Sequence, residues 1–125
     1  MILDTNALSA LVARDANLIH LLEESPRVAV TLISLGEYEF GMLGSLRKKE
    51  LGKWLDAFLE RAEVLSADRQ TLPHYAAIRQ ELKHAGTPIP ANDVWIAALV
   101  RQHRMPLVSR DVHFDQVKQL KRLSW

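Results

Sequence analysis

Four acids stand in sequence settings where a carboxylate could do chemistry: Asp4, Glu37, Asp93 and Asp111. Asp4 closes the apolar run Met1-Ile2-Leu3, in Leu3-Asp4-Thr5-Asn6. Glu37 ends Ser34-Leu35-Gly36-Glu37, Asp93 ends Pro90-Ala91-Asn92-Asp93, and Asp111 follows Val108-Ser109-Arg110. Each has an ordinary structural explanation when taken alone. Asp4 and Asp111 suit turns or helix caps. Glu37 fits a capping box opened by Ser34, and Asp93 suits the first turn of a helix, where the dipole favours an acid. Four carboxylates brought together would repel, and some would hold protons unless a cation compensated. Oxygen ligands in a chain without cysteine point to a hard ion, Mg²⁺ or Mn²⁺. Such an ion keeps waters and binds phosphate oxygens, the equipment of metal-assisted phosphodiester hydrolysis.

Whether the acids meet depends on the elements that carry them. Met1-Ile2-Leu3 and Val28 to Leu32 read as buried strands, being continuously apolar and, in the second, β-branched. Thr5-Asn6 can cap a helix whose apolar residues (Leu8, Leu11, Val12, Leu18, Ile19, Leu22) recur at helical spacing as far as Glu24. Ser34 opens a helix to about Gly44, and Arg47 to Ala62 forms another, with Trp54, Leu55 and Phe58 on one stripe. Glu63-Val64-Leu65 reads as a short strand, and Thr71 to Ala85 as a helix ended by Gly86. Thr87-Pro88-Ile89-Pro90 is a rigid connector, Ala91 to His103 a helix apolar on most sides, Pro106 to Ser109 a strand, and Leu120 to Trp125 an edge strand. Strands separated by helices imply an α/β fold with a parallel sheet and right-handed crossovers. Sites in such sheets form beyond the carboxyl ends of the strands, which is where Asp4 and Asp111 fall.

The chain has 125 residues, which suits one domain over 1–125. Apolar residues make up 48% and charged residues 25%, a globular profile. The absence of cysteine excludes a disulfide scaffold, thiolate metal sites and a catalytic thiol. Charges interrupt every apolar run before it reaches membrane-spanning length, and the start of the chain meets an acid without a basic region. The expectation is a cytoplasmic protein with no membrane partner. Net charge is +1, yet the last stretch holds Arg101, Arg104, Arg110, Lys118, Lys121 and Arg122 against only Asp111 and Asp115. A basic stretch can meet phosphates, but from charge alone a solvated face is the favoured reading.

Leu3-Asp4-Thr5-Asn6, Ile33-Ser34-Leu35-Gly36-Glu37, Pro90-Ala91-Asn92-Asp93-Val94-Trp95-Ile96-Ala97-Ala98 and Leu107-Val108-Ser109-Arg110-Asp111 followed by Phe114 form an ordered set along nearly the whole chain. In order and spacing it resembles the PIN-domain ribonucleases, specifically the VapC-type toxins of bacterial toxin–antitoxin pairs. The family often carries Asn just before its last acid, where this chain has Arg110. The resemblance implies a PIN-like three-layer α/β/α sandwich around a central, mostly parallel sheet. It implies Mg²⁺- or Mn²⁺-dependent endoribonuclease activity leaving a 5′-phosphate and a 3′-hydroxyl. Asp4, Glu37, Asp93 and Asp111 would then be the catalytic acids, with Asp4, Asp93 and Asp111 holding metal and Asn6 and Ser109 supporting them. A homodimer and inhibition by a cognate antitoxin are implied as well. That inhibitor would dock a short helix beside residues 34–62, against Tyr38, Phe40, Met42, Trp54 and Phe58, and place a basic side chain at the acidic rim.

Two rival functions have recognisable signatures. An Asp-nucleophile phosphatase would want a second acid where Asn6 stands and a phosphate-binding Lys near Ser109; neither is present. A catalytically idle binding module of the same fold would have no use for four clustered charges. Asp115 is either an auxiliary ligand or a surface acid. His113, near the site, either touches RNA or, the favoured reading, is an ordinary surface residue, and His20, His74, His84 and His103 lack ligand spacing. Trp54 and Phe58 suit core or dimer packing better than base stacking, and Glu39 suits solvent.

Overall fold

The computed structural model describes residues 1–125. Strands β1 (Ile2–Leu3), β2 (Ala29–Thr31), β3 (Glu63–Leu65), β4 (Leu107–Val108) and β5 (Arg122–Leu123) form one sheet in the order β3-β2-β1-β4-β5. Every neighbouring pair is parallel. The helices are α1 (Thr5–Val12), α2 (Ala16–Glu23), α3 (Leu32–Leu43), α4 (Lys48–Leu59), α5 (Thr71–Ala85) and α6 (Ala91–His103), and a 3₁₀ turn covers Val112–Gln116. No helix is long and apolar enough to cross a membrane.

Successive residues of a strand face opposite sides of a sheet, and the central strands β1, β2 and β4 send apolar residues to both. Ile2, Ala29 and Leu107 enter one core with Ile78 and Leu82 of α5 and Val94, Ala97 and Ala98 of α6. Their neighbours Leu3, Val30 and Val108 enter the other, with Ala7 and Leu8 of α1, Leu18 of α2, Leu35 and Tyr38 of α3 and Leu55 of α4. The sheet is therefore covered on both faces, as parallel sheets require, and the three-layer expectation holds. On the first face α5 is fastened to α6 by the Tyr75–Trp95 stack, with ring centroids 3.9 Å apart, and by Arg101 donating to Glu81 at 3.0 Å. Gly86 ends α5 in a left-handed conformation at φ 69°, where only glycine is unstrained.

Several local expectations are corrected. The single helix to Glu24 is two helices, because Arg14 turns left-handed (φ 56°) and Asp15 caps a new start at the amides of Asn17 and Leu18. Both halves keep their apolar residues on the same core, so spacing does not reveal the break. The cap of α1 is Asp4, which accepts from the Ala7 amide, and not Thr5 or Asn6. Thr31 caps α3 by accepting from the Ser34 amide, so the capping-box explanation of Glu37 falls away. Helix α4 is shorter at both ends than Arg47 to Ala62. The edge strand narrows to Arg122–Leu123, parallel to β4. Half of the basic stretch is paired, since Arg101 meets Glu81, Arg110 meets Asp15 and Arg122 meets Asp115.

Candidate active site

The carboxyl ends of β1 and β4 lie side by side, and the chain beyond each delivers one acid to a cleft of about 320 Å³. Asp4 follows β1 and Asp111 follows β4. Asp93 comes from the first turn of α6, and Glu37 from the second turn of α3. All four line this cleft, together with Thr5, Asn6 and Ser9, above the buried side chains of Ile96 and Phe114. The structure thus brings together the acids that the motifs singled out.

Asp4 is the most confined. It is 4% exposed, and both of its oxygens are engaged. Oδ1 accepts from the Ala7 amide at 2.9 Å, and Oδ2 accepts from Asn6 Nδ2 at 2.9 Å and from the Ser109 hydroxyl. Asp4 thus caps α1 with one oxygen and holds the other against Asn6 and Ser109 in the cleft. Ser109, fully buried, also accepts from the Asp111 amide at 2.9 Å, and Asn6 Oδ1 accepts from the Arg110 amide at 3.2 Å. Two polar side chains thus tie the end of β1 to the loop after β4. Glu37 is steadied by Thr5 Oγ1, which donates to its Oε1 at 3.1 Å. Asp111 caps the 3₁₀ turn, accepting from the His113 amide with Oδ1 and leaving Oδ2 outside that bond.

Burial pushes the Asp4 carboxyl up to about 6, with the Asp111 and Asp93 charges adding to the rise and the Ser109 and Ala7 hydrogen bonds opposing it. Asp93 is also raised, first by burial and then by the Asp111 charge, with His113 acting the other way. No Lys or Arg lines the cleft. The site is a pocket of carboxylates with His113 as its one basic neighbour, and its oxygen-rich donor set fits a hard divalent ion. The absence of Lys and Arg counts against a phosphatase, because neither is present to receive a transferred phosphate and Asp4 is sequestered by three donors.

Other residues fall outside the cleft. Asp115 is not an auxiliary acid at the cluster: Arg122 holds it by Nε and Nη2 at 2.7 and 2.8 Å, keeping its carboxyl below the usual range. Arg110, the departure from the motif, turns away, stacking over Trp125 at 4.4 Å and pairing with Asp15 at 3.2 Å. Asp111 reaches the cleft with Arg110 before it. Tyr38 is buried, touching Trp54, which stacks on Phe58 with centroids 5.3 Å apart. Phe40, on the same helix, is 79% exposed. Glu39 is exposed, as its position relative to Glu37 suggests.

Sequence reasoning missed two participants. Thr5 reads as a cap, yet its hydroxyl holds Glu37. His113 reads as a surface residue, yet its Nδ1 lies 3.3 Å from Asp111 and 3.5 Å from Asp93. The Asp111-Val112-His113 spacing was the available signal, since one residue between the two lets a tight turn bring both side chains together.

Known proteins show the same frame. The PIN domain family model matches residues 1–120. Ribonuclease VapC2 of Rickettsia felis is 28% identical over 110 residues, covering 87% of this chain and 82% of that protein. The tRNA(fMet)-specific endonuclease VapC of Salmonella typhimurium is 28% identical over 100 residues, covering 79% and 76%. Among solved structures, VapBC2 from Rickettsia felis bound to a DNA fragment from their promoter superimposes with a TM-score of 0.87 at 27% identity, covering 99% of this chain and 97% of that one. DNA-bound VapBC from Salmonella typhimurium gives a TM-score of 0.88 at 25% identity, with 99% and 96% covered. The parallel frame, its acidic cleft and a family match spanning all four acids lead to one conclusion: the chain belongs to the PIN domain family.

Proposed function

We propose that this chain is a divalent-metal-dependent endoribonuclease and the toxin of a toxin–antitoxin pair, acting as one domain over 1–125. The observation that carries the reading is the gathering of Asp4, Glu37, Asp93 and Asp111 in one cleft lined by no Lys or Arg. Asp4, Asp93 and Asp111 would hold Mg²⁺ or Mn²⁺, with Asn6 and Ser109 supporting Asp4. When bound, the ion supplies positive charge against the phosphodiester and makes water more acidic. The protein's part is to keep its ligands fixed: three donors hold Asp4, and the Ser109 hydroxyl links it to the Asp111 amide. Glu37, restrained by Thr5, is placed to accept a hydrogen bond from the attacking water and orient it. Water oxygen bonds to phosphorus, the bond to the 3′ oxygen breaks, and a proton passes to that oxygen, leaving a 5′-phosphate and a 3′-hydroxyl.

The names of the relatives support RNA as substrate and an antitoxin as partner. A shallow depression of about 360 Å³ between α1 and α4, lined by Leu11, Trp54 and Phe58, is suited to the apolar side of an antitoxin helix. Tyr38 is spent in the core and leaves that surface. Leu32, Phe40, Leu43 and Leu46 stand exposed on and after α3, which supports a homodimer. A cytoplasmic location accompanies the reading. The test is RNA cleavage by purified wild type, Asp4→Asn and Asp93→Asn, with sequencing of the 5′-phosphate ends. Both variants are expected to lose cleavage while staying folded; cutting at the wild-type rate by either would overturn the assignment.

A further inference from the structure

We propose that His113 is a nitrogen ligand of the divalent ion, so that this cleft takes Mn²⁺ or another first-row transition ion in preference to Mg²⁺. The inference rests on the nuclease reading, because the ion is the one assigned there to Asp4, Asp93 and Asp111.

The geometry points this way. His113 Nδ1 lies 3.3 Å from Asp111 Oδ1 and 3.5 Å from Asp93 Oδ2. One donor atom from each of the three side chains lies within 4.8 Å of the others. Both nitrogen–oxygen separations are long for a hydrogen bond from a ring nitrogen to a carboxylate. They match neighbouring corners of a coordination shell, because two donors each about 2.0–2.2 Å from one ion and about 90–110° apart sit about 2.8–3.6 Å from each other.

The chain makes this arrangement locally. The His113 amide donates to Asp111 Oδ1 at 2.9 Å, and the 3₁₀ turn that Asp111 caps folds the imidazole back over the two acids. The side chain is 53% exposed, so core packing does not account for its position. Mg²⁺ binds oxygen and gives up its waters reluctantly, whereas imidazole suits transition ions. A nitrogen among the carboxylates therefore tilts the choice of ion.

The experiment uses the full chain and Mn²⁺ as probe. Electron paramagnetic resonance counts bound Mn²⁺, and the echo-modulation spectrum reports ¹⁴N coordinated to it. Wild type is expected to show ¹⁴N modulation. His113→Gln is expected to lose it, to bind Mn²⁺ roughly tenfold more weakly, and to keep its Mg²⁺ affinity within about twofold. His20, His74, His84 and His103 remain in that variant, so the lost signal belongs to position 113. Circular dichroism of the variant checks that the fold persists. Mn²⁺ bound by wild type without ¹⁴N modulation, or with modulation unchanged in His113→Gln, overturns the inference and leaves the nuclease reading standing. Failure of wild type to bind Mn²⁺ at millimolar concentration overturns both.

Discussion

Replacing Asp4 by Asn separates the energetic cost of this cleft from its chemistry. In the folded chain the Asp4 carboxyl is pushed up to about 6 from an ordinary value of 3.8, mainly by burial. A pKa raised by folding gives a contribution that is fully present below the unfolded value and is lost as pH rises through the folded one. Each unit is about 1.4 kcal/mol, so ionised Asp4 destabilises the ion-free protein by about 3 kcal/mol at neutral pH, about 2 of it between roughly pH 4.5 and 7.5. Asn removes this slope. It keeps an oxygen for the Ala7 amide but sets an NH₂ group against the Asn6 amide, a loss of about 1 kcal/mol at every pH. Urea unfolding in EDTA at those two pH values measures the difference. Wild type is expected to lose about 2 kcal/mol more than Asp4→Asn, a midpoint change of roughly 1–2 M at the slopes usual for small domains. Adding Mn²⁺ at the higher pH should restore wild type far more than the variant, since binding to the native state stabilises it. Equal pH slopes in the two proteins, within about 0.5 kcal/mol, would refute burial of Asp4 as the source of the shift.

Ser109→Ala strips Asp4 of its hydroxyl donor and the Asp111 amide of its acceptor inside a buried site. It is expected to lower stability by about 1–3 kcal/mol and to raise the Asp4 titration midpoint further, read by carboxyl NMR. Asp115→Asn loosens only the partly exposed pair with Arg122 and is expected to lower stability by under about 1 kcal/mol while leaving the RNA cleavage rate at the wild-type level.

What the sequence discloses here depends on how local each cause is. Strands β1, β2 and β4 are legible because both faces are buried, so no position needs to be polar. The acids that follow β1 and β4 are legible because the carboxyl end of a parallel strand is where the chain must leave the sheet. The break at Arg14 is illegible because α1 and α2 feed the same core, and hydrophobic spacing records which core a residue enters without recording a turn between helices. The start of α3 is misread for a related reason: Thr31 and Ser34 both have capping chemistry, and only the sheet decides which of them leads into the helix. The fate of Asp115 is set by Arg122 from β5, seven residues on and in a different element, so its place four residues after Asp111 misleads.

The cleft concentrates its cost at the two acids whose carboxyls burial raises. Asp4 and Asp93 have their ionised forms disfavoured by burial and by neighbouring charge, while their surroundings supply hydrogen bonds, no Lys or Arg, and only His113 in partial opposition at Asp93. Elsewhere the chain pairs its charges, as Arg27 does with Glu63, Arg101 with Glu81 and Arg122 with Asp115. A chain that neutralises acids so readily at its periphery has the means to place a cation beside Asp4. Arg110, next to Asp111 in the chain and bonded through its amide to Asn6, is close enough in space to serve, yet its guanidinium is drawn off by Trp125 and Asp15. The diversion preserves the negative pocket between β1 and β4. Reversing it by replacing Asp15 would release Arg110 from its pair and from the stacked geometry that Asp15 steadies through Trp125 Nε1. The surface ion pair therefore matters to the cleft less for its own strength, which is small, than for the place it keeps a positive charge from reaching.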